Sequence, residues 1–525
     1  MLRYKALGEW HEVTLVQLGG LGEADVPLPA AAGRRAARIS APDYTRALGQ
    51  AVRESSVLRS RIPDLGSVAV VQAEVAARPN HGTRRGAMSP VSTSSTQTLL
   101  TQTVIAEGLR QADFAAAKDF GATVIEEGLD GKVLLRVGSV EQVFGLVELL
   151  TEREVGSATP NFVRRISRIN KSEPAKAWSH DKIGVPAAWA ITRGSADVKV
   201  AVLDEGVDTA HPALKAAVVA ERDFIGNNGN SAMPVGNDAH GTACAGVVLS
   251  RDDTYPGIAP KCSLIAARIA MDDGSGNWVF DDFRTADAID WCWRQGAAVL
   301  SNSWGGGAPS DAISRAFARA RTQGRDGLGA VVAIAAGNSQ SPIDFPGNLP
   351  GYVTVGASNP ADERKTRASS DGEDWWGSNF GPTMDLLAPG VFIWTTDISG
   401  PAGYDPGDFT KTFNGTSSAT PAVAGAAALM ISANPALSVA SIRNLLGTTA
   451  KKIEGQTTWT PELGWGRLDV GSAVAAAKVA GGPSPAKPTG KKAKKKPAGK
   501  KAKPAKPAGK KSKKKTKKAR KKKKS

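Results

Sequence analysis

Four short blocks carry the side chains that could do chemistry. Asp204 ends the apolar run VKVAVL and opens Asp204-Glu205-Gly206. His240 opens the small-residue stretch His240-Gly241-Thr242-Ala243-Cys244-Ala245-Gly246. Asn338 closes Ala335-Ala336-Gly337-Asn338 after another apolar run, and Ser417 lies in Asn414-Gly415-Thr416-Ser417-Ser418-Ala419-Thr420-Pro421. A serine hydroxyl is a weak nucleophile at neutral pH and needs a base within hydrogen-bond reach. A histidine supplies that base, and a carboxylate behind it fixes the imidazole tautomer. An amide side chain and a backbone N–H at a helix start would bind the oxyanion that forms.

The elements that must position these groups are readable from periodicity. AVAGAAALM after Pro421 reads as a helix buried on all sides, with the proline expected in its first turn. Val198–Leu203, Leu264–Arg268, Ala298–Asn302 and Ala330–Ala335 read as short buried strands. Helical segments such as Phe283–Arg294 and Ala312–Gln323 alternate with them. The order predicts an α/β domain over about 171–480 with a largely parallel sheet, its site beyond the strand C-termini. Upstream, residues 101–170 read β-α-β-β-α-β, a small α+β domain of ferredoxin-like order, with a capped helix over Ser139–Leu150.

Together the four blocks, in the order Asp…His…Asn…Ser, resemble the subtilisin (subtilase) family of serine endopeptidases. The likeness includes IGVPAAW, HPAL, SNSWGGG and the closing GWGRLDVGSAV. It implies a triad of Asp204, His240 and Ser417, with Asn338 as oxyanion donor. It also implies that extended substrate pairs with the backbone of Ser303, Trp304 and Gly305 as an added strand. The order excludes the chymotrypsin and α/β-hydrolase arrangements. A small domain ahead of such a peptidase is similar to the inhibitory propeptides of the family, so a zymogen is expected. In the family an aromatic-Pro-Gly step follows the floor of the primary specificity pocket; Phe345-Pro346-Gly347 matches it and places Asp344 at that floor. Glu205 stands where many subtilisins have Thr or Ser, closer to the kexin-like DDG, and is expected to favour a second basic residue. An acidic pocket predicts an Arg/Lys preference. It also predicts processing after Arg165 or Arg168, in the junction NFVRRISR.

The chemistry requires no cofactor. The family commonly binds structural calcium through surface loops; acid-rich loops such as Asp272-Asp273-Gly274 exist, without a definite ligand pattern. The charge of +17 is uneven: residues 481–525 hold 22 Lys/Arg and no acid, leaving 45 basic against 50 acidic residues before them. That tail cannot bury a core and is expected to be disordered, attracting DNA or another polyanion without base reading. A different reading makes the chain a polyanion-binding protein that uses the peptidase fold as a scaffold. Three cysteines without metal-ligand spacing read as buried small hydrophobes in a reducing compartment. The sequence as written shows no signal peptide, so a cytoplasmic location is the expectation, or secretion if the start is misassigned. Residues 1–100 match no motif, and His81-Gly82-Thr83 lacks the buried helix that a catalytic histidine block would open.

Overall fold

The computed structural model describes residues 2–6, 9–16, 69–72, 97–167, 178–226, 230–272 and 277–481. Those before Leu100, and 140–141, 164–167 and 277, are described by their backbone alone. The His81 block, Arg168, Asp273, Gly274 and the Lys-rich tail lie outside them.

Seven parallel strands form the centre. They are β8 (Lys199–Asp204), β9 (Val218–Asp223), β10 (Ser263–Arg268), β13 (Ala297–Asn302), β14 (Val331–Ala335), β15 (Val353–Ser358) and β16 (Met384–Pro389), in the order β16-β15-β14-β13-β8-β10-β9. Most of their residues are buried on both faces, which accounts for continuous apolar runs in place of alternation. The direction of strand addition reverses beside β8, and a parallel sheet opens a crevice at such a point, beyond the strand C-termini. Asp204 is the last residue of β8 and Ser303 directly follows β13.

One face of this sheet packs on α3 (His240–Leu249) and α6 (Thr416–Ala433), the other on α4 (Asp282–Arg294) and α5 (Asp311–Gln323). The small residues of α3 and α6 let other segments pack closely on these helices: a Cβ on Gly246 would meet the Thr396 hydroxyl at 2.1 Å, and one on Gly425 would meet Ile258 at 2.8 Å.

Upstream come β4 (Gln97–Glu107), α1 (Gln111–Asp119), β5 (Thr123–Glu127), β6 (Lys132–Arg136), α2 (Val140–Glu152) and β7 (Ser157–Ser167). Ser139 and Gln142 form the capping box of α2. Strands from the first part of the chain, β1 (Leu2–Ala6), β2 (Glu9–Val16) and β3 (Ala69–Gln72), extend the same antiparallel sheet through β4. On its other side β7 pairs with β12 (Asn277–Asp281), which pairs with β11 (Met271–Asp272). The upstream sheet is therefore hydrogen-bonded into the larger α/β domain.

Its apolar face is shared as well. Ile105 and Leu134 pack in one core with Phe283, Ile289, Ile313 and Phe317 of α4 and α5. Around that core, fully buried Lys132 bonds Asp290 at 2.6 Å and Asp287 at 3.2 Å. Arg319 holds Asp290 at 2.7 Å and Asp130 at 3.2 Å, and Leu129 N–H donates to Asp287. Burial alone would raise the Asp290 carboxyl, but Arg319 and Lys132 outweigh it and hold it below the ordinary range.

Candidate active site

Asp204, His240 and Ser417 come from three separate elements and meet at the C-terminal edge of the sheet. His240 Nδ1 lies 3.0 and 3.1 Å from the two carboxylate oxygens of Asp204. Glu205 N–H also donates to Asp204 at 2.9 Å, so the carboxylate is fixed from two directions. The imidazole stands edge-on to Trp278 of β12 at 4.2 Å and to Phe413 at 5.3 Å. Asp204 is 1% exposed, His240 6% and Ser417 8%. Such exclusion of water strengthens every electrostatic contact inside.

Ser417 is the second residue of α6, and Gly415 ahead of it has φ +109°, a backbone state that glycine adopts without strain. Its hydroxyl donates to Ser303 O at 3.3 Å in this state. Catalytic hydrogen bonds are often loose before substrate binds.

The helix starts at Thr416, so Pro421 is its sixth residue and not part of the first turn, contrary to the expectation from sequence. A proline there has no N–H for the carbonyl four residues back, which is that of Ser417. Ser303 Oγ at 3.0 Å and Cys244 Sγ at 3.5 Å donate to that carbonyl instead. The proline thus turns a missing helix bond into side-chain anchors for the serine.

Asn338 Oδ1 accepts from Thr416 N–H at 2.8 Å and from the Thr416 hydroxyl at 3.0 Å. This orientation leaves Nδ2 as a donor beside Ser417 N–H, and among the described residues neither has a bonded acceptor. Two such donors converging next to a serine can bind a tetrahedral oxyanion.

The backbone of Ser303–Gly306 runs beside that of Phe345. Gly306 N–H donates to Phe345 O at 2.6 Å, and a Cβ on Gly305 would meet that oxygen at 3.2 Å. The Trp304 indole turns into the core, between Phe280 and Phe317, so only its backbone can meet a ligand. Asp344 is half-buried on the Phe345 side, and burial raises its carboxyl above the usual range.

Two residues take places other than those expected. Glu205 is fully buried, and its carboxylate accepts His240 N–H at 2.8 Å, where an anion stabilises the start of α3. It holds the helix that carries His240, and its full burial keeps it from meeting substrate. Arg165 lies inside β7, its backbone registered with Gln97 on one side and Val279 on the other. Sequence reasoning missed Cys244, whose Sγ lies 3.6 Å from His240 Nδ1. The four-residue spacing on one helix could have placed it on the same face.

Among the described residues, one group of at least three His, Cys, Asp or Glu side chains converges, namely Asp204, His240 and Cys244. A calcium ion takes six to eight oxygen ligands, and the Asp204 oxygens already serve His240 and Glu205 N–H, so this cluster does not suit calcium. No helix among the described residues is long and apolar enough to cross a membrane.

A parallel α/β sheet that gathers a carboxylate-held imidazole, a helix-start serine and paired oxyanion donors defines a serine hydrolase of the subtilisin type. Residues 195–466 match the model of the subtilase family of peptidases (peptidase S8). Thermitase of Thermoactinomyces vulgaris is 32% identical over 303 residues, which cover 57% of this chain and 96% of thermitase. Subtilisin DY of Bacillus licheniformis is 36% identical over 265 residues, 49% of this chain and 85% of that protein. Fervidolysin of Fervidobacterium pennivorans, a keratinolytic enzyme related to subtilisin, shares the fold, with a TM-score of 0.57 at 21% identity over 71% of this chain and 61% of its own. The chain belongs to the subtilase family and is a subtilisin-like serine endopeptidase acting on protein or peptide substrates.

Proposed function

We propose that the chain cleaves peptide bonds through an acyl-enzyme on Ser417. His240 takes the hydroxyl proton as Oγ attacks the carbonyl carbon, then gives it to the leaving amine. Asp204 keeps Nδ1 protonated and stabilises the imidazolium without accepting its proton. Asn338 Nδ2 and Ser417 N–H hold the oxyanion, and water repeats the sequence to release the acid. The observation that carries this reading is the short Asp204–His240 contact at the same edge as a serine anchored by Ser303 and Cys244. A fluorophosphonate probe tests it: the wild type should label, and Ser417→Ala should not. Labelling of neither would favour the scaffold reading.

The upstream domain is proposed to be the inhibitory part of a zymogen. Its support is the pairing of β7 with β12, whose Trp278 packs on His240. Cleavage within the junction, after Arg165 or Arg168, would separate the two parts. Release after Arg165 requires β7 to unpair first.

Asp344 is proposed to select Arg or Lys at the cleaved position. It has no cationic partner among the described residues, and a half-buried carboxylate gains from one. Replacing Asp344 by Asn should lower kcat/KM for Arg substrates about 30-fold or more relative to Leu substrates. In the wild type the preference should fade as pH drops and the carboxyl protonates. That loss should begin at a higher pH than for an ordinary aspartate, because burial raises this carboxyl. A peptide-library profile that favours Phe or Leu in the wild type would overturn the assignment.

The Lys-rich tail is proposed to bind DNA or another polyanion independently of catalysis. Truncation before residue 481 should abolish salt-sensitive DNA binding and leave peptide hydrolysis unchanged. Unaltered DNA affinity after truncation, measured by anisotropy at two salt concentrations, would remove the proposal.

A further inference from the structure

The polar run Asn359–Asn379, which follows β15, folds around one buried cation. Lys365 is 0% exposed. Its ammonium group meets the carbonyls of Thr366 at 2.6 Å, Trp376 at 3.2 Å and Glu373, the Ser369 hydroxyl at 3.3 Å, and an Asp371 oxygen at 3.1 Å. Surrounded this way, the charge is fully satisfied, and this conformation of the loop is tied to the ammonium it encloses.

That conformation delivers two sets of contacts to the catalytic edge. Buried Glu373 accepts from Trp376 Nε1 at 2.7 Å with one carboxylate oxygen, and from Asn414 Nδ2 at 2.8 Å with the other. Asn414 stands three residues before Ser417, and its Oδ1 accepts from Phe392 N–H at 2.6 Å, so its amide orientation is determined. On the other side, Gly377 N–H donates to Asn338 O at 3.2 Å and Gly377 O accepts from Gln340 N–H at 2.8 Å. Asn379 Oδ1 accepts from Ser339 and Ser341 N–H at 2.9 and 3.0 Å. A single loop therefore grips the backbone on both sides of the two oxyanion donors.

We infer that Glu373, held by the Lys365 cage, is a positioning residue that sets the separation of Ser417 N–H from Asn338 Nδ2. This rests on the reading of those two groups as the oxyanion hole. Donors of this kind act only within a few tenths of an ångström of the oxyanion, and they act on the transition state. Substrate binding along Ser303–Gly305 does not use the loop. A loosened clamp should consequently lower kcat and leave KM nearly unchanged.

The test exchanges donor and acceptor. Glu373→Gln sets an amide donor against either Asn414 Nδ2 or Trp376 Nε1, and should lower kcat about tenfold with KM within about twofold. Asn414→Asp opposes two carboxylates and should do the same. In the double variant, Glu373→Gln with Asn414→Asp, the introduced glutamine amide donates to the introduced carboxylate. The glutamine oxygen still accepts from Trp376, and the other oxygen at position 414 still accepts from Phe392 N–H. The double variant should recover kcat to within about threefold of the wild type. Should Glu373→Gln fail to fold, Trp376→Phe removes the second donor to Glu373, keeps an aromatic ring near the Lys365 ammonium, and should lower kcat a few-fold at constant KM. Unchanged kcat in folded single variants, a change confined to KM, or a double variant that regains its melting temperature but not kcat would each overturn the inference. Loss of activity in Ser417→Ala and in Asn338→Ala alongside wild-type activity in Glu373→Gln would sink this inference alone. Full activity in Ser417→Ala would sink the underlying reading.

Discussion

Ser417→Ala is expected to lower kcat for peptide hydrolysis by about 10⁶-fold, the order found when the serine of a subtilisin triad is removed. The size follows from the way the site works. Without Oγ there is no acyl-enzyme, and His240, though still held by Asp204, has no hydroxyl to deprotonate. What survives is the oxyanion pair acting on bound water, which sustains a small residual rate. Asn338→Ala should be milder, about 10²–10³-fold, again the order known from a subtilisin donor. Its cost should fall at the upper end of that range, because Asn338 Oδ1 also holds Thr416 at the start of α6. Removing both should lower even the residual rate of the Ser417 variant, since attack by bound water still develops an oxyanion that the pair stabilises. Kinetics on a peptide anilide read all three values. A Ser417→Ala protein within tenfold of the wild type would end the assignment.

The second large effect is expected at the joint between the upstream sheet and α4. Asp290→Ala, made in the inactive Ser417→Ala background to prevent self-cleavage, should weaken that joint by about 3–5 kcal/mol. Asp290 is the carboxylate that Lys132 and Arg319 share, at 2.6 and 2.7 Å. Its removal leaves two cations beside each other, one of them fully buried, with only Asp287, Asp130 and Glu107 nearby. Lys132→Met should cost much less, because Asp290 keeps Arg319 and the methionine stem preserves the packing. Hydrogen exchange should show the amides of β7 and β12 opening early in Asp290→Ala and close to normally in Lys132→Met. Equal protection in the two variants would mean that the apolar contacts of Ile105 and Leu134 hold the joint alone.

Lys132, Asp287, Asp290 and Arg319 show what no reading along the chain could supply. Lys132 and Asp290 are separated by 158 positions. Many lysines and aspartates of this chain would have suited the pairing equally well, and only the docking of β6 on α4 selects these. Glu205 makes the same point at short range. Its place beside Asp204 suggested a substrate contact, whereas the tertiary structure gives its carboxylate the nearest unmet helix N–H, that of His240. The cage of Lys365 reads in sequence as an ordinary solvated polar loop, because burial of a charge is a property of what folds around it.

Other features were local and therefore legible. Apolar runs between small residues marked β8, β10, β13 and β14 to within a residue or two, because a strand covered on both faces needs side chains of that kind at every position. Ser139 and Gln142 announced a helix start, since a capping box depends on residues three apart. The four blocks around Asp204, His240, Asn338 and Ser417 were visible because each pairs a reactive side chain with the strand end or helix start that must present it. The sequence by itself thus determined which groups are available and which element carries each. The tertiary structure alone decided which charges meet, how Pro421 frees the Ser417 carbonyl, and what braces the oxyanion donors. Those outcomes depend on contacts between distant segments, whose geometry exists only once the sheets and helices have packed.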